Sequence, residues 1–93
     1  MPTPDLRKNL VGPQVSRLRY QARLSQAQFA AKCQRMGWDV SRGIIAAIEG
    51  QVRCVTDAEL VRLARTFDVP LEALLPEAVT RHLKRSARRG GPK

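Results

Sequence analysis

An apolar residue followed by Ser or Thr, with a second apolar residue five positions after the first, occurs three times: Leu24-Ser25 with Phe29, Val40-Ser41 with Ile45, and Val55-Thr56 with Leu60. Each is the signature of a helix start. The hydroxyl accepts from an unpaired N–H of the first turn, and the apolar pair staples the incoming chain to that turn. Gln28 after Ser25 and Glu59 after Thr56 complete capping boxes at two of the three starts. The distance between the first two starts leaves room for one short helix, a turn containing Gly37, and a second helix of about two turns.

Around these marks the chain reads as a series of short helices. The first opens near Gly12-Pro13, where proline is tolerated, and runs to about Ala22, with Val11, Val15, Leu18 and Ala22 on one stripe. The second follows Ser25, buries Phe29, Ala30 and Cys33, and continues through Gln34 and Arg35 until Gly37 ends it as a left-handed cap. Trp38 then sits in the turn and closes the core. The third runs from Arg42 to about Glu49; at eight residues it must lean on the rest of the fold. The fourth, Asp57 to Phe67, has the clearest periodicity, in Leu60, Leu63, Ala64 and Phe67. Pro70 with Leu71, Leu74 and Leu75 predicts a brief fifth helix ended by Pro76. Nothing reads as a strand. The fold class is therefore all-α: a compact five-helix domain over residues 11–76, preceded by a loose arm at residues 1–10 and followed by a basic segment at 77–93. That segment is compatible with a sixth helix to about Ala87, with Val79 and Leu83 one turn apart, before a tail from Arg88 to Lys93.

At 93 residues there is room for one modest core, so function has to sit on a surface or at an interface. Seventeen Lys and Arg against eight Asp and Glu give +9, which favours phosphate-rich partners or an anionic membrane surface. Residues 77–93 contribute +5 of it. No run approaches the ~20 apolar residues of a membrane span, and Met1 to Leu10 has no apolar stretch after its charges. The expectation is a cytoplasmic protein with no membrane partner. Cys33, Cys54 and the lone His82 have neither the number nor the spacing of a disulfide framework or a zinc site. Cys33 is expected to be a buried thiol, and no metal or cofactor is expected. A Cys–His pair, a phosphate-cradling Gly loop and clustered acids are all missing from the sequence, so an enzyme is not expected.

At 100° per residue the third helix gathers Ile44, Ile45 and Ile48 into one sector, which has to face the core. The opposite sector carries Arg42, Gly43 and Ala46, with Ala47 and Glu49 on its flanks. A helix held on its inner side by its neighbours offers its outer side to a partner, and an α-helix fits the DNA major groove.

With this helix-turn-helix outline the sequence resembles the Cro/C1-type (XRE) helix-turn-helix family over roughly residues 10–76. The resemblance rests on Val11-Gly12, Leu18-Arg19, Leu24-Ser25-Gln26, Phe29-Ala30, Val40-Ser41-Arg42, Ile45, Ile48-Glu49, Leu60, Leu63-Ala64, Phe67, Val69, Leu71 and Leu74-Leu75. It implies a lambda-repressor-like domain that binds double-stranded DNA as a homodimer and acts as a repressor-like transcriptional regulator. By position, Gln26 and Arg53 would contact phosphates. Ser41, Arg42, Gly43, Ile44, Ala46 and Ala47 would face the bases, and Arg19 would pair with Glu49 to lock the third helix.

Two departures shape the expectation. The interval from Ser25 to Ser41 is longer than the compact spacing of that family, which predicts a second helix extended by nearly a turn and a longer turn after it. On the outer face of the third helix, Arg42 is the sole long hydrogen-bonding reader. A bidentate Arg–guanine contact supplies ~1–3 kcal/mol of discrimination, whereas Ala can only touch a thymine methyl. Direct readout is therefore expected to be poor, leaving specificity to dimer spacing, DNA shape and the basic arms. The alternative is a protein-interaction or antitoxin-like module whose bland Gly-Ala face packs on a protein partner. The fifth helix and the Val79–Leu83 segment are the expected dimer surfaces.

Overall fold

The structure is a computed structural model, and it describes residues 9–81. Helices α1 (Gly12–Gln21), α2 (Gln26–Arg35), α3 (Arg42–Glu49) and α4 (Asp57–Phe67) are followed by a 3-10 turn, Leu71–Leu74. A further helical stretch begins at residues 77–81, where Thr80 N–H donates to Pro76 O at 3.0 Å. Among the described residues there is no strand.

The three caps form as their chemistry demands. Ser25 accepts from Gln28 N–H at 3.0 Å while Gln28 Oε1 accepts from Ser25 N–H at 2.7 Å. Thr56 and Glu59 make the same reciprocal pair, at 3.1 Å in both directions. Ser41 Oγ accepts from Ile44 N–H at 3.2 Å. These bonds satisfy first-turn donors that have no intrahelical acceptor, and each such cap contributes ~1 kcal/mol. Gly37 ends α2 at φ +93°, with Gly37 N–H on Gln34 O and Trp38 N–H on Cys33 O. A side chain is disfavoured there, which is why glycine holds the position.

The core gathers one side of every helix. Val15, Phe29, Cys33, Ile45, Ile48, Leu63 and Leu74 are fully buried, and Leu18, Trp38, Leu60 and Phe67 pack against them half-buried. Phe29 of α2 stacks on Phe67 of α4 with ring centroids 4.3 Å apart, an arrangement that adds ~0.5–1.5 kcal/mol beyond its buried area.

Several expectations are corrected. Ala22 is exposed: α1 stops at Gln21, and Arg23 at φ 61° turns the chain so that Leu24 N–H reaches Arg19 O. At this end of α1 the buried position is Arg19. Asn9 belongs to the folded domain and not to a loose arm, being 3% exposed with all its side-chain polar atoms bonded, while residues 1–8 lie outside the described residues. The brief fifth helix is present where expected, as a 3-10 turn over Leu71–Leu74. Val79, expected to offer a free apolar stripe, is 6% exposed; Leu83 and the basic tail lie outside the described residues.

Both thiols are free, Cys33 in the core and Cys54 at the surface. Burial pushes the Cys33 thiol above the usual range, which disfavours the reactive thiolate. Titration with a thiol reagent should label one cysteine, Cys54, in the native protein and both in denaturant; rapid native labelling of two would contradict this packing.

Candidate nucleic-acid interface

The buried side of α3 is Ile45 and Ile48, which leaves the start of the helix on the surface. Of the six positions expected to face bases, Ser41, Arg42 and Gly43 are exposed, whereas Ile44, Ala46 and Ala47 are half-buried, with Ile44 packed against the core. Ser41 Oγ accepts the capping bond from Ile44 N–H and still carries an O–H donor. Gly43 has no internal reason to be glycine, because a Cβ built there would find Ser41 Oγ at 3.7 Å and otherwise open space.

A continuous polar network runs from the interior to this surface. Arg19 Nε donates to Glu49 Oε2 at 2.6 Å and Arg19 Nη2 to Glu49 Oε1 at 3.0 Å, a two-pronged pair whose side chains are both 7% exposed. Arg19 Nη1 donates to Leu24 O at 2.8 Å, and the guanidinium lies 4.4 Å from the centroid of the Tyr20 ring. The Glu49 carboxylate raises the Arg19 pKa further, so its charge is permanent. Gln26 Nε2 donates to the same carboxylate at 3.1 Å, and Arg42 Nη1 donates to Gln26 Oε1 at 3.2 Å. One carboxylate at the end of α3 thus organises the end of α1, the start of α2 and, through Gln26, the start of α3.

The two expected phosphate ligands are engaged within the protein. Both amide atoms of Gln26 are committed to Glu49 and Arg42. Arg53 is clamped by Glu59 through bonds of 2.9 and 2.8 Å and also donates to Cys54 O at 3.3 Å. That pairing with Arg53, ahead of the bonds from Thr56, holds the Glu59 carboxyl below its ordinary range. Glu59 both caps α4 and neutralises Arg53.

Asn9 is the residue the sequence reading missed. Its Oδ1 accepts from Val11 and Gly12 N–H at 2.9 and 2.8 Å, capping α1, and its Nδ2 donates to Ile48 O at 2.7 Å and Arg53 O at 3.2 Å. Gln51 Nε2 returns a bond to Asn9 O at 2.9 Å. An Asn shortly before a Gly-Pro helix start is a capping signal that was there to be read. The bonds across to the end of α3 carry no such local signal.

Charge is divided between the halves of the domain. Residues 9–54 hold seven Lys and Arg against two acids, and residues 55–81 three against five. The basic half contains the exposed capped N-termini of α2 and α3, whose backbone dipoles add to the attraction for anions. The arrangement gathers positive charge and exposed helix N-termini in one half of the domain. No protein-family model, curated protein or solved structure matches this chain.

Proposed function

We propose that the chain binds double-stranded DNA as a homodimeric, repressor-like transcriptional regulator in the cytoplasm, with the start of α3 directed into the major groove. The observation that carries this reading is the network from Arg19 through Glu49 and Gln26 to Arg42, which fixes an exposed cation at the start of a helix whose other side is buried. Affinity in this reading comes mostly from backbone contacts by the basic half and the C-terminal segment. Counterion release then makes it fall steeply with salt.

Selection of binding sites from random duplexes at two salt concentrations tests it directly: an enriched, two-fold symmetric site supports it, and no retention at low salt rejects it. Arg42→Ala should relax sequence preference, with the selected and scrambled duplexes converging by ~1–3 kcal/mol, more than it lowers total affinity. Unchanged binding to both would remove Arg42 as the reader.

A second reading is favoured by a specific observation, the internal pairing of Gln26 and Arg53. With these groups occupied and Gly43, Ala46 and Ala47 beside Arg42, the same face suits a protein partner, as in an antitoxin-like module. Co-purification of an acidic protein together with failure to hold any duplex would decide for it.

A further inference from the structure

We infer that a second copy of this chain packs antiparallel on the outer face of α4, centred on Val61, with Asp57 of each copy facing Arg65 of the other. The inference rests on the dimeric part of the proposed function and names its surface. A groove of about 440 Å³ lies beside this face, lined by Met36, Trp38, Ala58, Val61, Arg62 and Arg65. Met36 is 51% and Val61 44% exposed, both large apolar side chains left about half uncovered by the described residues.

Charge order identifies the occupant. Asp57, Val61 and Arg65 recur at four-residue intervals, so they lie along one line of α4, all exposed, over ~12 Å. The line has an acid at its start, an apolar residue in the middle and a base at its end. Set antiparallel against itself about Val61, it brings two Asp–Arg pairs together around an apolar centre, the self-complementarity that a two-fold interface requires. A parallel arrangement would oppose like charges, and an acidic partner would meet Asp57. Neither Asp57 nor Arg65 has an ion-pair partner among the described residues. Residues 55–81 hold three Lys and Arg against five acids, so α4 belongs to the less basic part of the chain, although Arg62 and Arg65 line the groove itself. Of the surfaces expected for this role, Val79 is buried, Leu83 lies outside the described residues, and the fifth helix exposes Leu71 without a matching row of opposite charges. One helix face and a groove make a small interface, and the dimer is correspondingly weak.

Sedimentation equilibrium of the full chain, without DNA, over a wide concentration range provides the test. Asp57→Arg and Arg65→Asp should each weaken dimerisation about tenfold or more, while the double variant, which restores both pairs with reversed sign, should recover to within about threefold of the wild type. Circular dichroism confirms that each variant is folded. A chain that is monomeric throughout, single variants that dimerise normally, or a double variant no better than the singles would each overturn the inference. Duplex binding by fluorescence anisotropy separates this from the DNA reading: charge-swap rescue without duplex binding keeps the surface and rejects DNA, and duplex binding by a chain without rescue does the opposite.

Discussion

Replacing Glu49 by alanine is expected to lower stability by about 3–5 kcal/mol, the cost of leaving the other member of a buried pair uncompensated. Arg19 is 5% exposed and cannot shed its charge, because a guanidinium stays protonated at any ordinary pH. Without Glu49 it retains only Leu24 O and the face of Tyr20. Gln26 loses its acceptor at the same time, so the tether on Arg42 loosens. Denaturant unfolding followed by circular dichroism measures the loss. The cost belongs to the orphaned charge and not to the pair as such, so Arg19→Met combined with Glu49→Leu should recover most of it. A single variant within ~1 kcal/mol of the wild type would mean that the pair is exposed in solution.

Gly12→Ala carries the second large effect. A Cβ at Gly12 would collide with Ile48 O and would stand 3.0 Å from Glu49 O and 2.9 Å from Gln51 Cγ. Two of the three obstacles are backbone carbonyls that cannot rotate away, so α1 has to lift off the end of α3. Overpacking of this kind costs ~1–3 kcal/mol, and the rigid neighbours place this case at about 3. Gly43→Ala supplies the contrast within the same domain. Its Cβ would enter open space, and alanine's better helix propensity should raise stability by up to ~1 kcal/mol. Shifts of opposite sign in parallel thermal melts are the expected result; a neutral Gly12→Ala would show that α1 and α3 do not approach this closely.

What could be read from the chain divides by distance along it. Ser25 with Gln28, Ser41, Thr56 with Glu59, and Gly37 announced helix limits because a cap is made between residues three or four apart. The sectors of α3 and α4 were legible because they follow from helical period. Asn9 escaped because its decisive partners, Ile48 O and Arg53 O, lie about forty residues away. Arg23, Gln51 and Asp68 escaped for another reason: they adopt the left-handed conformation at φ 61°, 60° and 59° without being glycine. Ala22 was misplaced as a result, since the turn at Arg23 takes it out of the stripe. At the candidate interface, residue types indicated which side chains had the chemistry to meet a phosphate. They did not indicate that Glu59 had already claimed Arg53, because a capping residue is read as local until its second bond is seen.

The clamps on α3 also have a consequence for how the molecule folds. Its eight residues are too few to persist alone, and the bonds that hold it come from Arg19, Gln26 and Asn9, between 23 and 39 positions away. No fragment lacking α1 can therefore present α3 in its native form, and local fraying elsewhere leaves it in place. The outward helix exists only together with Asn9, α1 and the start of α2, so its ability to meet a partner is lost when that part of the domain opens.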